Sequence, residues 1–413
     1  MAPLFSVVIP TFNRSDLFPY AVKSILNQSL QDFDIILSNN CSGDDTAAVA
    51  KTINDPRVKY VCTPRHFTIA DNWEFGRKQA TGNLIIMLSD DDALVPSALE
   101  SFAKEVEDCD TDFIFSNRAE YRDSSFPGSD KNSVSCPGFS AVSRVVSLDE
   151  FVRPLYAFRP KFDMHPSAFV FPRKIADYVV ERTGRFFWTN GVEYSAWPIT
   201  AVFAKRIVYV DLPLTVLGRT VKSWGTNVAL CNPGKEKLQT FFNDVDQHRT
   251  HAPLHNFTMT NLMAEGMLTA KHLFKDEFAT YEFDELRYLK VTMKELKKRE
   301  AMGVDVSGEI DDTLRYASKY PTLENTLREI KAPIESDSNG FVQLIRTGSG
   351  NLGARKIRGR IRAVQLGQKL ERGEASQGFQ AAGDDFGFSN VLECAQFFER
   401  NVITAASRTS SHR

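Results

Sequence analysis

The sequence predicts an α/β protein with a mainly parallel sheet covered by helices on both faces. Three observations predict it. Short apolar runs at 4–9, 34–38, 58–62, 84–88 and 113–116 alternate with amphipathic segments over short connections, the pattern of βαβ units. Residues 84–88 are apolar without a break, as a strand buried on both faces must be. That run leads into Asp90, Asp91 and Asp92, so three carboxylates stand at the carboxyl end of a strand, where open α/β sheets bind ligands. Three like charges in succession are tolerated only if solvated or compensated by a cation or strong donors. The plainer alternative is an acidic turn, with Pro96 opening the next helix.

The remaining elements follow in order. After the first strand, Ser15 or Asp16 is placed to cap a helix whose Leu17, Ala21, Ile25 and Leu26 share a face. A second helix starts near Asp44 and Asp45 and carries Ala48, Val49 and Ile53. A third spans about 70–79 and stops at Ala80-Thr81-Gly82, with the glycine as terminator. Residues 118–160 are rich in Ser, Pro, Gly and charge and read as a flexible surface excursion. Order returns with a strand at 167–171, a helix at 175–181 and a strand at 207–210. Two helices follow over 257–298, their apolar positions Leu262, Met263, Met267, Phe274, Leu289, Met293 and Leu296 at helical spacing. A last helix is expected over 386–398. The division predicted is a catalytic domain at 1–225, a helical region packed on it at 226–335 and a helical extension at 336–413.

Composition narrows the class. A chain of 413 residues, 42% hydrophobic and 25% charged, has ample material for a core. Its formal net charge of -2 excludes an overall electrostatic fit to nucleic acid. Cys41, Cys62, Cys109, Cys136, Cys231 and Cys394 are scattered singly, which suits a reducing compartment. The amino terminus lacks a basic leader, and no stretch approaches the length of a bilayer span. A cytoplasmic location is therefore expected.

None of the early strand-to-helix turns carries the Gly-x-Gly-x-x-Gly fingerprint. The first strand leads instead into Pro10-Thr11-Phe12-Asn13-Arg14 and the second into Asn39-Asn40-Cys41-Ser42-Gly43-Asp44. Side by side above neighbouring parallel strands, these turns offer an aromatic ring, a cation, hydroxyls and amides, a set suited to a nucleoside.

With Val7-Val8-Ile9-Pro10-Thr11-Phe12-Asn13-Arg14, Ser24-Ile25-Leu26-Asn27-Gln28-Ser29, Asp34-Ile35-Ile36-Leu37, Ala80-Thr81-Gly82 and the Ser89 to Asp92 carboxylates in this order, the chain resembles a family 2 glycosyltransferase of the GT-A fold, a Rossmann-like nucleotide-diphospho-sugar transferase. The resemblance implies a site. Pro10, Thr11 and Phe12 would border the nucleobase, Arg14 the phosphates or base, and Arg65 and Asn72 would complete the pocket. Asn40 stands where the family usually has an aspartate that accepts from the base. An amide is a weaker acceptor than a carboxylate, which leaves the base undetermined. Asp90, Asp91 and Asp92 match the acidic DXD-like metal motif, with Asp90 toward the ribose and Asp91 and Asp92 toward a divalent ion, Mn2+ or Mg2+.

An acidic residue opening a helix after an aromatic loop is the family's general base, and Glu193 after Gly184-Arg185-Phe186-Phe187-Trp188-Thr189-Asn190-Gly191-Val192 is the match. A solvated glutamate favoured by the helix dipole is the plain alternative, and Asp163 and His165 stand in reserve. The implied activity is metal-dependent, inverting transfer of a sugar from a nucleoside diphosphate donor to a hydroxyl on a glycan or lipid-linked acceptor, in surface polysaccharide or glycoconjugate assembly. The alternative is a non-catalytic nucleotide- or glycan-binding scaffold, motivated by Asn39-Asn40. A nucleotidyltransferase is disfavoured because no glycine-rich, lysine-bearing loop follows the first strand.

Other patterns are decoys or minor. His248, His251 and His255 lack a completing ligand set and are interrupted by Pro253. Residues 348–353 satisfy Gly-x-Gly-x-x-Gly without the strand context a dinucleotide site needs. The basic run at 355–362, with Ile357, Ile361 and Val364 on one helical face, offers a peripheral contact with the inner face of an anionic membrane. The extension also offers a surface for a homo-oligomer.

Overall fold

The computed structural model describes residues 2–126, 130–223, 251–256, 258–330 and 378–403. The Gly-x-Gly-x-x-Gly segment, the basic run at 355–362, His248 and Cys231 lie outside the described residues.

The amino-terminal half alternates as expected: β1 (Phe5–Thr11), α1 (Phe18–Leu26), β2 (Phe33–Asn39), α2 (Thr46–Ala50), β3 (Val58–Cys62), α3 (Ile69–Arg77) and β4 (Leu84–Met87). Every residue of β1 is buried, because the strand is flanked on both edges. Phe5 lies level with Phe33 of β2 and with Leu84 of β4, all parallel. Its side chains alternate between two cores: Phe5, Val7 and Ile9 pack with α1 residues Ala21 and Ile25, and Val8 packs on the other face with Ala70 and Trp73 of α3.

Beyond β4 come β5 (Ala93–Leu94), α4 (Ala98–Glu105), β6 (Asp112–Arg122), β7 (Ser133–Cys136), β8 (Ser143–Val145), α5 (Leu148–Tyr156), a 3-10 turn at Pro166–Ala168, β9 (Phe169–Pro172), α6 (Arg173–Thr183), α7 (Val192–Phe203) and β10 (Arg206–Arg219). The eleven-stranded sheet runs β11-β7-β6-β9-β4-β1-β2-β3, with β11 at Phe379–Ala382, and β10 pairs with β5, β6 and β8. The sheet keeps the expected parallel strands and adds antiparallel ones to them. Parallel pairing holds among β1 to β4 and between β6 and β10, whereas β9 lies antiparallel to both β4 and β6. Apolar periodicity reports burial and carries no information on strand direction, which is why the sequence did not show it.

The described residues of the excursion expected at 118–160 form strands and a helix joined by turns. β6 continues to Arg122 and stays in register with β10, Arg118 opposite Thr215 and Arg122 opposite Arg219. The alternation Arg118-Ala119-Glu120-Tyr121-Arg122 is that of a strand with one polar face, and its charges masked it. The helix α5 starts at Ser147, whose hydroxyl accepts from the Glu150 amide at 3.1 Å. Another difference lies at α1: Ser15 and Asp16 do not cap it, and Leu17 is the cap residue. The Ser15 amide donates instead to Asp44 of the neighbouring turn at 3.0 Å.

Gln28 links α1 to the acidic segment. Its buried amide donates to the carbonyls of Ser24 (2.9 Å) and Val95 (2.8 Å) and accepts from the Leu99 amide (2.9 Å). The helices α8 (Met259–Leu273), α9 (Glu285–Ala301), α10 (Ser307–Ala317) and α11 (Pro321–Arg328) follow. Gly266 of α8 lies against Tyr194 of α7: a Cβ there would stand 2.6 Å from the Tyr194 Cβ. The chain then returns to the sheet. β11 pairs antiparallel with β7, and after α12 (Gly383–Phe386) the helix α13 (Val391–Phe398) buries Cys394, Ala395, Phe397 and Phe398 in the core shared with α1 and β5. Glu399 accepts from the Ser97 amide at the start of α4 at 3.0 Å.

Candidate active site

The turns after β1 and β2 are joined atom to atom. The Asn40 amide donates to the Thr11 carbonyl (2.9 Å), the Asn13 amide to Ser42 Oγ (2.9 Å) and the Gly43 amide to Asn13 Oδ1 (2.8 Å). Asn13 and Cys41 both adopt positive φ, 53° and 54°, a backbone state that asparagine tolerates better than most residues. Phe12 is 40% exposed, and its ring lies 4.4 Å from that of His66, centroid to centroid. An exposed aromatic pair at the carboxyl end of a parallel sheet is a stacking platform for a planar base.

Asn39 and Asn40 are both occupied by the protein. Asn39 Nδ2 donates to the Tyr60 hydroxyl (2.8 Å) and its Oδ1 accepts from the Ser42 amide (3.0 Å). Asn40 Nδ2 donates to the Phe67 carbonyl (2.9 Å) and its Oδ1 accepts from the Phe67 amide (2.8 Å) and from Thr63 (3.3 Å). The amide thereby fixes the loop that carries His66 and Arg65. Arg65 is exposed and lies 5.0 Å from the Phe67 ring centroid. Asn72 is buried and accepts from Ser38 Oγ at 2.9 Å. It therefore braces β2 against α3.

The acidic triplet meets these turns through Arg14. Its guanidinium is hydrogen-bonded to the Asp90 carboxylate and lies 3.5 Å from Asp91. Asp91 accepts from Ser223, and Asp92 accepts from Ser167 and from the Gly218 amide (2.8 Å). All three carboxylates are buried. Burial raises the Asp90 carboxyl above its ordinary value although Arg14 opposes it. Burial and the neighbouring Asp91 push Asp92 well up. Gly218 is required sterically, since a Cβ there would lie 1.8 Å from the Asp91 carbonyl oxygen. Ser167, Gly218 and Ser223 escaped sequence reasoning because small residues far apart in the chain carry no periodic signal. The Gly at the end of a long strand was the one available hint.

Asp91 and Asp92 fit a hard divalent ion chemically: carboxylate oxygens are its preferred ligands, and such ions commonly take one or two carboxylates plus substrate phosphates. Among the described residues no three His, Cys, Asp or Glu side chains form a ready-made metal cluster.

Glu193 lies in the first turn of α7, half-buried, and burial pushes its carboxyl up to about 7. The Asp163 charge contributes to that rise. Asp163 is hydrogen-bonded to Arg118 of β6, which, against its burial, holds that carboxyl below the usual range. His165 approaches Asp92 to 3.5 Å, but burial and Arg118 bring its pKa down to about 3. It is neutral at ordinary pH and forms no ion pair. Arg118, which sequence reasoning also missed, thus ties β6 to Asp163. The histidine decoy resolves structurally: Glu265 accepts from the amides of His251 (3.2 Å) and Ala252 (2.7 Å), pinning that segment to α8.

Residues 6–179 match the family model described as Glycosyl transferase family 2. Among curated proteins, the chain is 38% identical over 106 residues to the GalNAc(5)-diNAcBac-PP-undecaprenol beta-1,3-glucosyltransferase of Campylobacter jejuni, covering 25% of this chain and 34% of that one. It is 34% identical over 105 residues to the chondroitin synthase of Pasteurella multocida, covering 25% and 11%. The chain thus spans about a third of the first of these relatives and less of the second. A solved structure, S. aureus TarS 1-349 in complex with UDP-GlcNAc, aligns over 80% of this chain and 93% of that one, with a TM-score of 0.46 and 14% identity. The joined turns of β1 and β2 and the acidic triplet after β4 thus lie inside residues 6–179, the part of the chain that matches glycosyl transferase family 2.

Proposed function

We propose that the protein transfers a sugar, with inversion at the anomeric carbon, from a nucleoside diphosphate sugar to a hydroxyl acceptor in surface polysaccharide or glycoconjugate assembly. The observation that carries this reading is the joining of the turns after β1 and β2 through the Asn40–Thr11 backbone bond, and of the first of them to the acidic triplet through the Arg14–Asp90 pair. Phe12 and His66 would take the base, with Pro10 and Thr11 beside it and Arg65 at the rim. Asn40 and Asn72 would set the wall rather than meet the base edge. Asp90 would face the ribose. Asp91 and Asp92 would hold Mn2+ or Mg2+, whose charge offsets that of the leaving diphosphate.

Glu193 would accept the proton of the acceptor hydroxyl as it attacks, and a carboxyl poised near 7 is suited to that exchange at neutral pH. The acceptor would be a glycan or a lipid-linked glycan, by analogy with the Campylobacter relative's name. An acceptor of that kind would bring the protein to the cytoplasmic membrane surface. No described helix is long and apolar enough to cross a membrane.

The test is a panel of nucleotide sugars offered with and without manganese, read by thermal shift and by release of nucleoside diphosphate. One donor should raise the melting temperature in a manganese-dependent way and be slowly hydrolysed. A donor that raises the melting temperature with no release of nucleoside diphosphate would favour a binding scaffold, and absence of both responses for every donor would overturn the enzymatic reading.

A further inference from the structure

The second half of β6 and the end of β10 form a ribbon that runs alongside the acidic triplet, with the Gly218 amide of β10 donating to Asp92. Ile86 of β4, Val170 of β9 and Ile114 of β6 lie level across the sheet, so Arg118, Glu120 and Arg122 occupy positions four to eight residues further along. At about 3.3 Å per residue, Arg122 stands about 13 Å beyond Arg118. The three alternate along the strand and share a face, and Arg219 of β10 is level with Arg122. Glu120 is the common partner, 2.9 Å from Arg122, 3.2 Å from Arg219 and 3.7 Å from Arg118. Arg122 is 4% exposed, and its Nη1, like Arg118 Nε, is buried without a hydrogen-bond acceptor among the described residues. Nothing in the proposed donor chemistry uses these guanidiniums.

Their side of the molecule is informative. The turns assigned to the nucleoside follow β1 and β2, whereas β6 lies two strands from β4 on the opposite side. An anion held by the ribbon would therefore belong to the acceptor. Arg118 lies at its lower end, paired with Asp163 near Glu193. Guanidinium groups in this arrangement match phosphate oxygens in geometry and charge.

We propose that Arg118, Arg122 and Arg219 form a phosphate-binding track for an acceptor that carries phosphate close to its accepting hydroxyl. The phosphate would come from a lipid diphosphate or from a phosphodiester within a glycan. This rests on the donor assignment above, which places the nucleoside on the other side of the triplet.

The test uses the full chain with manganese and two probes, geranyl diphosphate and glycerol 3-phosphate, against geraniol and glycerol as neutral controls, measured by calorimetry. Binding of UDP and GDP is measured in parallel. At least one phosphate probe should bind tenfold or more tightly than its neutral control, and the tighter of the two identifies the source of the phosphate. Arg219→Gln and Arg122→Gln should each weaken that probe at least fivefold, Arg219→Lys less, with nucleoside diphosphate affinity within twofold of wild type. Melting curves identify a variant that fails to fold, and Arg219→Gln, at a partly exposed position, then carries the test. Equal affinity for charged and neutral probes, or variants that leave phosphate affinity unchanged, would overturn the proposal. So would variants that lose nucleoside diphosphate affinity together with the probe, because the guanidiniums would then serve the donor. Arginine-dependent phosphate binding in a protein that binds no nucleoside diphosphate would instead retain the track and remove the donor assignment.

Discussion

Glu193 is a carboxyl whose surroundings favour the protonated form up to about pH 7. As a base it acts only when ionised, so the maximal rate should rise with pH through that value and level off above it. Glu193→Gln should lower the maximal rate by about 10²–10⁴-fold and abolish the rise, with donor affinity little changed. A variant that keeps the wild-type pH profile would move the role elsewhere. Asp91→Asn keeps a group able to pair with Ser223 while removing a metal-ligating charge. It should leave the melting temperature near wild type and remove the manganese dependence of nucleotide binding.

At this scale the sequence showed residue types better than residue partners. Thr11, Arg14 and Asp90 were readable from their places at strand ends, and the structure brings them together. What Asn40 bonds to was not readable, because its partner is the main chain of Phe67, and main-chain atoms leave no trace in composition.

The helix α7, which carries Glu193, is held by α8. Gly266 lets the two helices approach so closely that a Cβ would stand 2.6 Å from the Cβ and 2.8 Å from the carbonyl carbon of Tyr194, next to Glu193. Gly266→Val should cost about 1–3 kcal/mol through overpacking and reduce the maximal rate more than donor affinity, because the donor turns are on other elements. Denaturant melts and steady-state kinetics check both. Gly218→Ala meets a main-chain oxygen rather than a flexible side chain. It should displace β10 from the triplet and weaken metal-dependent nucleotide binding, read by calorimetry with manganese. The apolar runs revealed β1 to β4 because those strands are buried on both faces. The outer half of β6 has one polar face and was read as loop, and its partner β10 continues past Pro213 through irregularities that break the alternation.

Residues 378–403 return to the first residues of the chain. α13 covers α1 and β5, and Glu399 ties to Ser97. Phe398 is fully buried there, so Phe398→Ala should destabilise the protein by about 3–5 kcal/mol in one cooperative transition that also lowers nucleotide affinity. Two separate transitions, with nucleotide binding intact after the first, would show this segment to be dispensable. The helix itself was legible from its apolar residues, but where it docks was not, since the same stripe fits any apolar groove.

The joined turns after β1 and β2 carry a consequence for changing the donor. Each turn supplies hydrogen bonds that the other needs, through Asn13, Ser42 and Asp44, so neither is an independent module. Grafting one from a relative with a different nucleotide preference would leave broken bonds at the seam. Under the donor assignment proposed above, transplanting the two as a unit is the route by which the nucleotide choice would be redirected.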